Sequence, residues 1–368
     1  MSGPSNRSDA VRGTSAWPLS NGAATGSLDI GQHGPVHIVA APDKLRGTLT
    51  AQEAASAIAR AAIAAGHTCD EVPMADGGEG TLEALGGANR TTTVTGPGGE
   101  LVEADWQLSR RSSRPTAVIE MARASGLVLA GGADDNDPMD ATTAGTGELI
   151  KAAVEAGARR VIIGMGGSAT VDGGLGALRA LAPPQRLRGI ELVAAYDTTT
   201  RFVDAAERFG PQKGATNAQV KLLRRRLERL ADEYRREFGI DVRGLDGSGA
   251  AGGLAGGLAA IGARLQSGFD TVADELALFD RLEGADLVVT GEGFLDAESF
   301  SGKVVGGVAD LAAEAGVPVL AIVGEAYDAA EQRVPTVELV RRFGVERAHE
   351  DTAACISEAV AEHLAALA

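Results

Sequence analysis

Five short stretches of the sequence set carboxylates or cations among glycines, a composition suited to loops that approach a ligand with their own backbone. The first is Ala41-Pro42-Asp43-Lys44-Leu45-Arg46-Gly47-Thr48, which taken alone reads as an exposed turn ending in a helix cap. The second, Met74 to Thr81, gathers three glycines around Asp76 and Glu79, more than a tight turn requires. The third, Gly164 to Gly174, holds five glycines in eleven residues, with Ser168, Thr170 and Asp172 among them. Successive backbone N–H groups there would form a nest for phosphate, with two hydroxyls as further donors. Its Gly164-x-Gly166-x-x-Ala169 spacing also fits a dinucleotide fingerprint, a weaker reading because the glycine-rich loop runs on into Asp172. The fourth, Gly247 to Gly253, scores as G-x-G-x-x-G without a convincing strand before it and fits a closely packed small-residue helix equally well. The fifth, Thr290 to Asp296 followed by Ser301-Gly302-Lys303, is no P-loop, since Ala297 and Val304 stand where glycine and a hydroxyl residue are needed.

Carboxylates at the ends of strands suit two tasks of phosphoryl transfer, holding Mg²⁺ and taking the proton of an attacking hydroxyl. Lys44, Arg46, Lys213 and Lys303 are cations beside glycines in a chain dominated by acids. Singly, each is an ordinary exposed basic residue; together they are candidates to meet an anionic substrate.

The elements that must position these loops alternate. A strand at Val36 to Ala41 precedes a helix opening at Thr50, which has capping-box spacing to Glu53 and a stop at Gly66. A second strand near Val72 completes a βαβ unit, whose ligand loops belong at the strand C-termini. Between Asn89 and Glu120 short alternating runs with Gly-Pro-Gly-Gly punctuation predict a meander in a second domain. Buried strands at Val161 to Gly164 and Glu191 to Ala195 follow, then a long charged helix from Asn217 to Phe238. Strands at Leu287 to Thr290 and Val317 to Val323, with helices at Lys303 to Ala315 and Ala353 to Leu367, close the chain.

At 368 residues the chain exceeds the size at which single cores stop growing, so two domains are expected. Hydrophobic residues at 44% and charged residues at 23% are ordinary globular composition. A net charge of -16 disfavours nucleic acid and anionic membrane as partners, and any anion site must be local because salt screens the overall field within about 8 Å. Two cysteines, Cys69 and Cys355, fit a reducing cytoplasm and supply no disulfide framework. Residues 1–34 read as a flexible tail without the apolar core of a signal peptide.

In this order the segments resemble the type I glycerate kinase family over nearly the whole chain after Pro35. The matching stretches are APDKLRGTLTA, PMADGGEGT, IEMARASGL, TTAGTGELI, GMGGSATVDGG, FGPQKGA, GSGAAGG and VVTGEGFLDAESFSGK. The resemblance implies ATP and Mg²⁺ as cofactors, D-glycerate as acceptor and 2-phosphoglycerate as the usual product. It implies a Rossmann-like parallel-sheet domain formed by both chain ends (35–88 plus 284–368) with a mixed α/β domain (89–283) inserted, and an active site in the cleft. Carried onto this chain, the catalytic candidates are Asp43, Asp76, Asp172, Asp197, Glu292, Asp296 and Lys303, with Asp76 and Asp296 also candidate metal ligands; Asp76, Glu79, Asp172, Glu292 and Asp296 are all open to either magnesium coordination or general base. Lys44, Arg46, Glu79 and Lys213 are assigned to substrate, and Gly166, Gly167, Ser168, Thr170, Gly173 and Gly174 to the nucleotide phosphates. Val171, Phe294 and the segment Asp197 to Phe202 depart from the family pattern, where Asn, Arg and Asp-Val-x-Asn-Pro-Leu are usual. A kinase of another small hydroxy acid, or a nucleotide-binding protein without turnover, are the alternatives.

Overall fold

The structure, a computed structural model, describes residues 34–110 and 113–367; the expected tail lies outside them apart from its last residue. Its strands are β1 (His37–Ala40), β2 (Thr68–Glu71), β3 (Arg90–Thr95), β4 (Leu101–Ser109), β5 (Thr116–Glu120), β6 (Arg160–Gly164), β7 (Glu191–Tyr196), β8 (Arg264–Ser267), β9 (Leu287–Leu295), β10 (Val319–Ala326) and β11 (Thr336–Glu338). They form two sheets, ordered β11-β10-β9-β1-β2 and β3-β4-β5-β6-β7-β8.

The first sheet is wholly parallel and joins the two ends of the chain, with Ile38 paired to Leu287 and Val39 to Val288. Its three central strands, β1, β9 and β10, are largely apolar on both faces because helices cover both, whereas the edge strands β2 and β11 are polar and part-exposed. Ile38, Ala40, Leu287 and Val289 pack against the helices Ala51–Ala64 and Thr352–Leu367. Val39, Ala41 and Val288 face Val304 and Val308 of the helix Val304–Ala315. Phe269, Val272, Leu278 and Leu282 join this second core. The helices Gly268–Glu275 and Leu278–Leu282 therefore sit under the first sheet, although the expected insertion ran to residue 283.

The second sheet begins as the expected meander, with β3, β4 and β5 antiparallel, and continues through parallel β6, β7 and β8. Ile119, Ile163 and Ala194 pack on one face with Leu149 and Ile150 of the helix Ala144–Glu155. The opposite face, carrying Ile162, Val193 and Ala195, meets Leu85 from the segment that follows β2. The fold is α/β, a parallel Rossmann-like sheet beside a mixed one.

Local signals hold at the helix starts. Thr50 and Glu53 form the capping box, and Thr216 with Gln219 forms another ahead of the helix Asn217–Phe238. Among the described residues no helix is long and apolar enough to cross a membrane.

Candidate active site

The C-terminal ends of parallel strands from both sheets converge on the turn after β2. Gly166 N–H donates to the Gly77 carbonyl at 3.3 Å. A Cβ on Gly77 would stand 2.7 Å from the Ala195 carbonyl oxygen, and one on Gly166 2.5 Å from the Gly78 Cα. Backbone meets backbone at this point, and only glycine permits it.

Asp76 precedes that turn, and its Oδ1 accepts the Gly78 N–H at 3.1 Å. It lies close enough to Asp43, after β1, and to Asp197, after β7, to raise the pKa of both. Asp43 is 7% exposed, and its N–H donates to the Gly291 carbonyl at 2.8 Å, which ties the first loop to β9. Burial pushes Asp43 up to about 6; the Lys44 ammonium, 3.6 Å from its Oδ1, opposes the rise and Asp76 adds to it. Glu292, on β9, is driven up to about 7, chiefly by burial, with Asp43 and Asp296 adding to the rise while Ser299 and Lys303 oppose it. Its Oε1 is buried without a hydrogen-bond partner. Asp197 keeps contact with solvent, yet desolvation by the cleft wall and the charge of Asp76 raise it against Lys303 and Lys44. Lys303 stands at the start of the helix Val304–Ala315.

Asp43, Lys44, Asp76, Asp197, Glu292, Asp296 and Lys303 thus feel one another's charge in one crevice. Asp296 also caps a turn, its Oδ1 accepting the Ser299 N–H at 3.0 Å and lying 3.3 Å from the Ser299 hydroxyl. Beside them, Arg46 and Glu79 line a cavity of about 460 Å³ together with Asp43 and Lys44.

In the third loop several N–H groups are engaged within the protein. The N–H groups of Met165, Ala169 and Gly173 donate to the carbonyls of Ala195, Ser125 and Gly252, and that of Gly174 donates to Asp172. A Cβ on Gly173 would meet Leu230 at 2.5 Å, and one on Gly174 would meet Leu254 at 3.2 Å. Glycines 173 and 174 serve close packing against the Gly247–Gly253 segment and the long helix, while Gly166 and Gly167 alone keep access to solvent among the loop's glycines. Thr170 is fully buried, its hydroxyl 3.4 Å from the Ala251 carbonyl.

Asp172 points into this packing as well. Its carboxylate accepts from the Thr143 N–H at 3.0 Å, the Thr143 hydroxyl at 2.8 Å, Gly174 N–H at 2.9 Å and Gly176 N–H at 3.1 Å. Four donors occupy its two oxygens, and it borders a separate cavity of about 490 Å³ shared with Arg179 and Arg226. Lys213 is 3% exposed, and its Nζ donates to Ser168 Oγ at 2.7 Å and the Thr170 carbonyl at 2.8 Å. Burial brings its pKa down to about 7, against the pull of Asp172. It holds the loop from beneath and is not presented to the crevice. Val171, in a core with Phe202 and Leu227, has no contact to offer an acceptor, whereas Phe294 is 49% exposed beside Arg46.

One residue at this junction carried no signal in the glycine-rich loops. Glu120, the last residue of β5, is 3% exposed, and its Oε1 accepts the N–H groups of Gly80 at 2.9 Å and Leu82 at 3.0 Å. A charged residue closing an otherwise apolar TAVIE strand is the mark that singles it out.

Two α/β layers, one parallel and one mixed, thus bring carboxylates and ammonium groups together at their strand ends. A sequence model of the glycerate kinase family matches residues 38–184 and 182–368. Glycerate 2-kinase of Escherichia coli K12 is 40% identical over 329 residues, covering 79% of this chain and 86% of that protein. Glycerate kinase of Bacillus subtilis is 39% identical over 325 residues, covering 78% and 84%. A solved structure of a glycerate kinase 2 from Salmonella typhimurium LT2 superposes with a TM-score of 0.76 at 35% identity, covering 90% of this chain and 98% of that one. The chain belongs to the glycerate kinase family, and it is a kinase.

Proposed function

We propose that the protein transfers the γ-phosphoryl group of ATP to a hydroxyl of D-glycerate, giving 2-phosphoglycerate and ADP. The observation that carries this reading is the pair Asp43 and Glu292, whose carboxyls are pushed to about 6 and about 7 beside Lys44 and Lys303. A general base works best when its pKa lies near the working pH, and burial among like charges is the usual way to raise a carboxylate there. Glu292 would take the proton of the acceptor hydroxyl, a hydrogen bond that its buried Oε1 otherwise lacks. The freed oxygen attacks the γ-phosphorus, the bond to the ADP oxygen breaks, and the proton passes from the carboxyl to solvent.

Lys303 and Lys44 would meet the phosphates, together with the open start of the third loop at Gly166 to Ser168. Arg46 would receive the acceptor carboxylate, with Glu79 on the wall of the same cavity. Among the described residues no group of three or more His, Cys, Asp or Glu could hold a metal ion by itself. That suits Mg²⁺, which takes one or two protein carboxylates and completes its shell with water and phosphate. Asp76 fits this use, since Gly78 engages one of its oxygens; Asp296, already engaged by Ser299, would be the second. The ion would supply charge neutralisation on the phosphates.

Phosphorylation at the 2-hydroxyl follows the name of the Escherichia coli relative. The decisive test is a coupled ADP assay with D-glycerate followed by phosphorus NMR of the product. Absence of acid-dependent ADP release sinks the reading, and a 3-phosphoglycerate spectrum sinks the position. Phe294, exposed beside Arg46 and tilted against Tyr327 with ring centroids 6.2 Å apart, favours a second reading in which the acceptor carries an apolar substituent. Higher kcat/KM for such an acid than for D-glycerate would establish it.

A further inference from the structure

Glu120 closes a strand of the second sheet, yet its hydrogen bonds reach the loop after β2 of the first. The helix it meets, Thr81–Ala84, is only four residues long, and its N-cap Gly80 has φ 96° and no side chain to offer. Of the N–H groups at that helix start, Thr81 donates to the Gly78 carbonyl at 3.3 Å, while those of Gly80 and Leu82 take their partner from outside the turn. Glu120 Oε1 takes two of them, so one carboxylate supplies in trans the cap that the local sequence lacks. Its other oxygen accepts from Arg123 Nε at 3.1 Å, and Arg123 Nη2 reaches Glu83 at 2.6 Å, which fixes the carboxylate in turn. At its other end the same turn is held by Gly166 N–H on the Gly77 carbonyl. Both anchors come from the second sheet; Gly78 and Glu79 lie between them, and Asp76 adjoins the Gly77 anchor, its carboxylate reaching into the anchored turn at Gly78 N–H.

We infer that Glu120 is a positioning residue for phosphoryl transfer: it fixes the Asp76–Gly80 turn across the junction of the two sheets and thereby sets where the Asp76 carboxylate stands. The inference rests on the proposed role of Asp76. Glu120 touches no substrate and exchanges no proton; it acts through the turn it caps. Groups of this kind commonly account for roughly 10- to 100-fold in activity or metal affinity.

The test is a double-mutant cycle on the full chain, with kcat, the KM for ATP and the Mg²⁺ concentration for half-maximal rate measured alongside thermal unfolding. Glu120→Ala should lower kcat by about 10-fold or more and raise the Mg²⁺ requirement at temperatures where it remains folded. In the Asp76→Asn background the same change should cost less than about threefold, because residues acting through one another are not additive. Glu120→Gln keeps an oxygen for Gly80 and Leu82 while setting an NH₂ against Arg123. It should fall between wild type and Glu120→Ala, and it carries the same cycle if Glu120→Ala does not fold. Additive losses, or a kcat within about threefold of wild type in Glu120→Ala, overturn the inference and leave the site reading intact. Wild-type turnover in Asp76→Asn brings down the site reading and this inference together.

Discussion

Lys213 donates from Nζ to Ser168 Oγ at 2.7 Å, so an ammonium enclosed by the second domain props the loop that follows β6. Burial lowers its pKa from 10.5 to about 7 in the folded protein. Below about pH 7 both folded and unfolded chains carry the proton and the cost of burying the charge is complete. Between about 7 and 10.5 the unfolded chain binds the extra proton, so this residue's contribution to stability rises with pH. Urea unfolding of wild type and Lys213→Met should therefore diverge in favour of wild type from pH 7 to 10, at about 1.4 kcal/mol per pKa unit. A difference that stays flat over that range shows that Lys213 remains charged when folded.

Glu292 has the opposite sign. Its pKa is raised from 4.5 to about 7, so the stability it contributes is complete below pH 4.5 and is lost as pH rises through 7. Glu292→Gln should match wild type near pH 4 and exceed its stability by roughly 1–3 kcal/mol at pH 8. The same variant should lose kcat by about 10²- to 10⁴-fold, the usual worth of a positioned base. Wild-type kcat should fall on the acid side with an apparent pKa between about 6 and about 7, belonging to the Asp43–Glu292 pair as a unit. Full turnover in Glu292→Gln reassigns the base.

Gly77 and Gly47 both hold left-handed backbones, at φ 89° and 84°. A Cβ on Gly77 meets the Ala195 carbonyl at 2.7 Å, whereas one on Gly47 meets nothing within 4 Å. Gly47→Ala should cost about 1 kcal/mol from backbone strain alone. Gly77→Ala adds overpacking of roughly 1–3 kcal/mol and should also reduce turnover by shifting Asp76. Equal chemical-denaturation midpoints for the two variants contradict the close approach at Gly77.

Asp172 separates fold from chemistry. With four donors on its carboxylate, Asp172→Asn turns an NH₂ toward one of them and should destabilise the protein by roughly 1–3 kcal/mol. At a temperature where the variant stays folded, kcat should remain near that of wild type. A large fall in kcat with unchanged melting temperature returns Asp172 to the catalytic group.

Much of this was legible before any coordinates. The Thr50–Glu53 capping box, the meander, the parallel strands and the strand-end carboxylates all follow from periodicity and turn chemistry, which act over a few residues. In sequence, a glycine required by a neighbouring backbone and a glycine required by a phosphate look alike. The close neighbours of Gly173, Leu230 and Phe202, are announced by no local pattern. The residues that enclose Lys213, Ser168 and Thr170, likewise lie far from it along the chain. Short strands such as Arg264–Ser267 and Thr336–Glu338 carry too few residues for alternation to show. Glu120 escaped because its partners, Gly80 and Leu82, are backbone groups that any sequence would supply.

The pairing of Ile38 with Leu287 sets an order on the birth of the molecule. A ribosome releasing about 5–20 residues per second delivers β1 and its covering helix well before β9 exists. For some tens of seconds the nascent polypeptide carries half a sheet with an apolar edge bare, while everything between folds beside it. An unpaired strand edge of this kind is the feature that makes partly made chains prone to aggregate.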